Sequence, residues 1–257
     1  MKKFGTIALV STFLCSCIIN FSIIVQAHAQ DGKADSARSL HLVTEEYPPL
    51  NMSRDGLITG LATELIRLAA HENNIKLKIE MMPWKRAYHI AKNRPTVCIY
   101  STWRTAERED HFTWIGPLAK DAWSFYAPKD AYIKISSLKD TYRYRVGGID
   151  GWAFTQYLQQ NEHPHLDLIA VEDETNARKL QTSRIDLWAT GRISGQQIIK
   201  DQKISNFEEV FAVREIGLWL ACNPQTNPDI IHDLQKTLDK FEQNGTAQKV
   251  RATFQFN

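Results

Sequence analysis

Strand-like and helix-like segments alternate along the first half of this 257-residue chain, and that order leaves few folds open. Residues 40–44 form an apolar run of strand length. Behind Gly60, the residues Leu61, Leu65, Leu68 and Ala69 recur at three-to-four spacing, as on one face of a helix. Leu77, Ile79 and Met81 then alternate with charged residues, as in a half-buried strand, and a second helix starts behind Pro83-Trp84. Val97, Cys98, Ile99 and Tyr100 make the third strand. Strand, helix, strand, helix, strand predicts a parallel α/β sheet with right-handed crossovers.

The third strand runs into chemistry. The stretch 96–118, TVCIYSTWRTAEREDHFTWIGPL, leaves its apolar run at Ser101 and enters a loop with the hydroxyls of Ser101, Thr102 and Thr105 and the guanidiniums of Arg104 and Arg108. Loops at the carboxyl ends of strands are where open α/β sheets bind ligands, and a planar guanidinium can hold a carboxylate by two parallel hydrogen bonds. A surface ion pair of Arg108 with Glu107 or Asp110 is the bland alternative for that residue taken alone.

Upstream, Glu45-Glu46-Tyr47-Pro48-Pro49 follows the first strand, and its two prolines keep Tyr47 in an extended turn. Trp84 stands at the end of the second strand, where one reading is a core residue capping the helix behind it. Downstream, the apolar run 123–127 is followed by a loop at Pro128-Lys129-Asp130. A strand at 144–149 meets Asp150-Gly151-Trp152-Ala153, with Phe154, Tyr157 and Leu158 on one helical face. A glycine at a strand-to-helix junction lets backbone amides point at an anion. Further strands are expected at 166–171 and 184–190, with a short helix at 175–182. Residues 207–216 precede a further strand at 217–222. Asn227-Pro228 is a helix start with Asn as cap and Pro at the first helical position. Ile231, Leu234, Leu238 and Phe241 give its apolar stripe, and Asn244-Gly245 ends it.

Residues 1–29 carry Lys2-Lys3, an apolar run from Ile7 to Val25 and Ala27-His28-Ala29, the pattern of a secretory signal cleaved after Ala29. An uncleaved membrane anchor is the alternative. Removing the two lysines leaves 29 basic against 29 acidic residues, and a neutral chain with no basic block argues against nucleic acid as a partner. Residues 30–39 read as a flexible arm. Only Cys98 and Cys222 lie beyond the leader, either as a disulfide in an oxidising compartment or as free buried thiols. Neither a Gly-rich phosphate loop, a Cys-x-x-Cys pair nor a Gly-x-Ser-x-Gly elbow occurs, and His163-Pro164-His165 reads as an exposed turn, so neither a cofactor nor a metal is expected.

The run Thr105, Glu107, Arg108, Phe112, Trp114, Gly116, Pro117, as TxERxxxFxWxGP, resembles the signature of the bacterial extracellular solute-binding proteins of family 3. The resemblance spans about residues 40–254. It implies a two-lobed periplasmic binding protein fold of type II, with two hinge-crossing strands and a ligand cleft between the lobes. Lobe 1 would comprise 40–117 and 217–257, and the hinge and lobe 2 would comprise 118–216. It further implies that Arg108 clamps a ligand carboxylate and that Tyr47 and Trp84 face each other as pocket walls. Glu46, Ser101, Arg104, Gly151, Trp152 and Thr190 complete the expected ligand-binding set. Trp152 stands where amino-acid-binding members commonly have a small residue, which narrows the pocket or changes its ligand. Arg184-Ile185-Asp186-Leu187 resembles the family's strand whose aspartate is followed, five residues on, by a second aspartate that holds the ligand's ammonium. Here that position is Gly191. Glu45, Glu46 or Asp121 could compensate.

The implied function is capture of a small carboxylate-bearing solute, an amino acid or a relative, by a periplasmic monomer serving the permease of an ABC importer. Two other classes compete. A few proteins of this fold, such as cyclohexadienyl dehydratases, catalyse eliminations in the same cleft, with Glu45, Glu46 or Asp150 available here as acid or base. Others are sensory or accessory modules that signal to a partner protein.

Overall fold

The computed structural model describes residues 38–254. The expected leader, most of the expected arm and residues 255–257 lie outside the described residues.

An eight-stranded sheet runs through both lobes in the order β4-β1-β5-β10-β6-β9-β7-β8. Its first part is β4 (Lys76–Met81), β1 (Ser39–Thr44) and β5 (Val97–Trp103). β1 and β5 are parallel, as the alternating pattern requires. Every residue of β5 is buried, which fits an uninterrupted apolar run covered on both faces. The last part is β9 (Leu187–Gly191), β7 (Val146–Gly147) and β8 (Leu166–Asp167), again mutually parallel.

Two long strands join these parts. β6 (Thr113–Pro128) and β10 (Phe207–Cys222) each have 16 residues and pair antiparallel from Phe207 opposite Pro128 to Cys222 opposite Thr113. β10 pairs with β5 through Leu218–Cys222, and β6 pairs with β9 through Trp123–Tyr126. The segment between those registers therefore carries the chain from one lobe to the other. This is the two-lobed α/β architecture with two crossing strands, and its sheet is mixed because the crossing strands run against their neighbours.

Helices cover the sheet. α1 (Leu61–Glu72) and α2 (Trp84–Asn93) lie in the first lobe, with the four-residue α3 (Ala106–Glu109) just after β5. α4 (Ala153–Gln160), α5 (Asp173–Gln181) and α6 (Arg192–Asp201) lie in the second. α7 (Pro228–Gln243) and α8 (Thr246–Thr253) return to α1. Asn227 caps α7 as expected, its Oδ1 accepting from the Asp229 amide at 2.8 Å.

The structure differs from the sequence pattern in several places. Leu68 is 41% exposed, and Ile66 with Ala62 and Ala70 takes its inward place on α1. The strand at 166–171 is only two residues long, and Ile169 and Val171 are exposed. α6 and α8 were not foreseen. His163 is buried, with a ring nitrogen 3.2 Å from the Thr141 carbonyl oxygen, rather than set in an exposed turn. A hairpin of β2 (Met52–Arg54) and β3 (Leu57–Thr59) closes around an Asp55-Gly56 turn.

Cys98 and Cys222 sit opposite each other in the β5–β10 pair and form a disulfide across 124 residues of chain. Closing so long a loop restricts the unfolded chain, which is worth about 2–5 kcal/mol. The Cys98→Ala/Cys222→Ala double variant is expected to lose stability of that order in urea unfolding, and reductant is expected to leave the variant's curve unchanged. Equal midpoints for wild type and variant would contradict the assignment.

Candidate functional site

Arg108 is the centre of the gap between the lobes. It sits on α3, directly after the buried strand that delivers it, and is 3% exposed. Its Nη1 donates to the Trp103 carbonyl of its own lobe at 3.4 Å. Its Nη2 donates across the gap to the Gly151 carbonyl at 3.0 Å and to Gln156 Oε1 at 3.1 Å. The guanidinium lies 5.0 Å from the Trp84 ring and 5.2 Å from the Tyr88 ring, so two aromatic faces help offset its lost hydration. Burial pulls its pKa down to about 10, which still leaves it charged near neutral pH.

Three donors around it are unspent. Arg108 Nε, Ser101 Oγ and Trp103 Nε1 are buried and have no hydrogen-bond partner among the described residues. All three residues line one small cavity with Glu45, Tyr47, Trp84, Trp152 and Ala153. Its volume is about 10 Å³. Unmatched buried donors are costly and uncommon, so three converging on one place mark where an acceptor is wanted.

The facing lobe supplies the other wall. Gly151 has a φ of +83°, a conformation that favours glycine, and this turns its carbonyl towards the first lobe. That oxygen accepts from Trp84 Nε1 at 2.8 Å as well as from Arg108. Trp152 is 3% exposed and packs edge-on against Tyr47 and Trp103, with ring centroids 5.4 and 5.7 Å away. Its Nε1 donates to Glu45 Oε2 at 2.9 Å, and Lys85 and Asp150 pair across the rim.

The site holds more acid than base. Tyr47 Oη donates to Asp121 Oδ2 at 2.8 Å, and Asp121 Oδ1 accepts from the amides of Ala122 and Ile193. Asp173 accepts from Trp188 Nε1, Asn176 Nδ2 and Thr190 Oγ1. Burial pushes the Asp121 and Asp173 carboxyls up to about 6 each. Burial also pushes Glu45 up to about 8, a rise that the Trp152 hydrogen bond and the charge of Arg108 oppose and Asp173 reinforces.

Of the residues expected from sequence, Tyr47, Trp84, Ser101, Arg108 and Trp152 line this cavity, and Gly151 bonds to two of them. Glu46 does not join them: it is exposed, and its carboxylate accepts from the Ser53 amide at 3.0 Å. Arg104 also turns away, with its Nε on Glu109 Oε2 at 2.8 Å and its guanidinium between the Trp114 and Trp219 rings. Thr190 is buried but commits its hydroxyl to Asp173. Trp84 is both pocket wall and first residue of α2, so the two alternatives for it coincide. Trp103 and Asp173 were not singled out from sequence, although Trp103 follows directly on the Ser101-Thr102 end of the strand.

Position 191, where the resemblance implies an aspartate in members that hold an α-ammonium, is closely approached by two side-chain oxygens. A Cβ on Gly191 would overlap Tyr47 Oη and Asp121 Oδ2. A larger concavity of about 850 Å³ lies behind the crossing strands, between α6 and the pair α7–α8. Arg192 and Arg251 there are paired with Glu209 and Glu242, and among the described residues none of its lining side chains is a buried donor without a partner.

A family model of bacterial extracellular solute-binding proteins, family 3, matches residues 40–256. The chain belongs to this family. Comparison with curated protein sequences gave no match. Among solved structures, a histidine kinase sensor domain with similarity to periplasmic binding proteins aligns with a TM-score of 0.79 and 17% identity, covering 86% of this chain and 97% of that one. An ancestral arginine-binding protein bound to arginine aligns at 0.75 and 16%, covering 84% and 98%. The GluR0 ligand-binding core from Nostoc punctiforme in complex with L-glutamate aligns at 0.74 and 19%, also covering 84% and 98%. These likenesses establish for this family 3 member the fold of the two-lobed binding proteins.

The raised Glu45 pKa fixes a pH dependence. The folded state holds this proton more tightly than the unfolded chain, so Glu45 costs stability progressively as pH rises from its ordinary 4.5 towards about 8. Glu45→Gln cannot ionise. Its melting temperature relative to wild type is expected to rise across that window, and thermal melts at both ends check it; a difference that is flat with pH contradicts the assignment.

Proposed function

We propose that this family 3 protein is an extracytoplasmic receptor that captures a small carboxylate-bearing solute between its lobes, with Arg108 as the clamp. The observation that carries this reading is a buried guanidinium with an unspent Nε beside the unspent donors of Ser101 and Trp103. A carboxylate offers several acceptor sites in one plane and can satisfy such a set.

Closure supplies the signal that capture has occurred. Arg108 and Trp84 on one side and Gly151, Gln156 and Trp152 on the other meet only when the lobes are together. A solute touching both sides favours the closed form by its differential affinity alone. For a micromolar solute the whole of binding is about 8 kcal/mol.

Delivery to an ABC permease by a monomer released from its leader is the reading of the chain's role. A solved substrate binding protein of an amino acid ABC transporter, 15% identical to this chain, has the same fold. The sensor-domain neighbour favours a second reading, in which the closed lobes report to a signalling partner. Co-purification of the exported protein with an ABC permease would favour transport over sensing. We read Glu45 as a binding group, and steady turnover of prephenate would contradict that choice in favour of a dehydratase.

A thermal-shift screen over amino acids, dicarboxylates, polyamines and short peptides will find the solute class, because a ligand stabilises the folded state by mass action. Arg108→Ala, folded by circular dichroism, is expected to lose about 2–5 kcal/mol of affinity for the tightest acid found. Unchanged affinity in calorimetry would remove Arg108 from the site.

A further inference from the structure

We infer that the chain holds its own lobes shut through a latch made by the Trp152 indole and Glu45, and that ionisation of Glu45 releases it. Such a latch acts on the lobes whatever solute the cleft takes.

Space is the first reason. Pockets that enclose a small molecule commonly measure about 300–1,000 Å³. The space lined by Ser101, Trp103 and Arg108 is about 10 Å³, below the ~30 Å³ share of one water molecule. Trp152, set just before α4, takes up the room: it is 3% exposed and packs edge-on against Tyr47 and Trp103, with ring centroids 5.4 and 5.7 Å away. Closure around Trp152 and closure around a solute are therefore two different closed arrangements, and a solute enters only after the indole has left.

The lobes are joined by groups of the chain itself. Arg108 and Trp84 donate to the Gly151 carbonyl, Arg108 donates also to Gln156, and Lys85 pairs with Asp150 at the rim. Trp152 Nε1 donates back across the gap to Glu45 Oε2 at 2.9 Å. None of these contacts needs a third molecule.

Glu45 is the acid whose surroundings change most when the lobes part. Asp173 takes its three hydrogen bonds from Trp188, Asn176 and Thr190, all of its own lobe. Asp121 keeps the Ala122 and Ile193 amides even when Tyr47 moves away. The Glu45 carboxylate is half-buried and takes one hydrogen bond among the described residues, from the facing lobe's Trp152. Opening removes that partner and its cover together and puts water in their place.

The direction of the switch follows from the groups around this carboxyl. Within the closed lobes it faces Arg108 from α3, Asp173 from α5 and Trp152 before α4, with Asp121 behind Tyr47; Thr44 and Asn51 touch only its backbone carbonyl. Loss of water pushes it up to about 8, with Asp173 reinforcing the rise and the Trp152 bond and Arg108 opposing it. In open lobes it meets water and returns towards its ordinary 4.5. Closure then takes up a proton between those values. The closed form is most favoured at the acid end, and the closure constant falls by up to about tenfold per pH unit until about 8, where it levels off. A solute meeting a latched population binds with its affinity reduced by the fraction that is open, and rising pH lifts that reduction.

Spin labels on Arg86→Cys of α2 and Gln159→Cys of α4, exposed positions on opposite lobes, report the lobe separation of the full mature chain by pulsed dipolar spectroscopy with no solute added. A short distance is expected at about pH 5, with a longer one growing towards about pH 9 while circular dichroism shows the chain folded throughout. Glu45→Gln keeps an acceptor for the indole and cannot ionise, and is expected to hold the short distance across the range. Trp152→Phe keeps an aromatic ring in place but lacks the N–H; where both distances are present, it is expected to raise the open-to-closed ratio roughly three- to tenfold. A separation that does not move with pH, lobes already apart at the acid end, the same pH course in Glu45→Gln, or an unchanged ratio in Trp152→Phe would overturn the latch. Because no acid is present in these measurements, each of those results would leave the carboxylate receptor standing.

Discussion

A guanidinium removed from water and shared between two lobes is the interaction on which this site depends. Taking Arg108 out of solvent is costly, and the surroundings offset that cost in pieces: the faces of Trp84 and Tyr88, a carbonyl of its own lobe, and a carbonyl and a carboxamide of the other. The bonds to Gly151 and Gln156 exist only while the lobes are together. On the proposed reading, Arg108 couples lobe closure to the site, and its unspent Nε leaves that coupling open to a ligand.

The fold explains why these groups can meet. β5 is buried throughout and held to β10 by register and by the Cys98–Cys222 bridge, so Ser101, Trp103 and Arg108 start from a rigid base. β6 and β10 carry the chain across without a break in pairing, apart from local register shifts. Asp121 lies on that crossing and is bonded to Tyr47 from one lobe and to the Ile193 amide from the other, which ties the hinge to the site.

The strand-helix alternation, the Tyr47 turn, the Asn227-Pro228 cap and the stretch around Arg108 were legible because each is a local pattern with a local cause. What was not legible depended on direction or distant partners. Glu45 and Glu46 are neighbours in an extended segment, where successive side chains point to opposite faces, and composition does not say which is inward. The structure turns Glu45 in and Glu46 out to the Ser53 amide. Arg104 precedes α3 and Arg108 lies on it, and Glu109 was available to hold the former outside. Thr190 is satisfied by Asp173, 17 residues earlier in the chain. The helix at Arg192–Asp201 contains Ser194 and Gly195, weak helix formers, and owes its place to packing on β6 and β9.

The central claim is that Arg108 recognises a carboxylate, and a thermodynamic cycle isolates that interaction from packing. Binding of one acid and of its primary amide should be measured to wild type and to Arg108→Ala. The account predicts that wild type strongly prefers the acid and that the variant barely distinguishes the two. An equal preference in both proteins would contradict it.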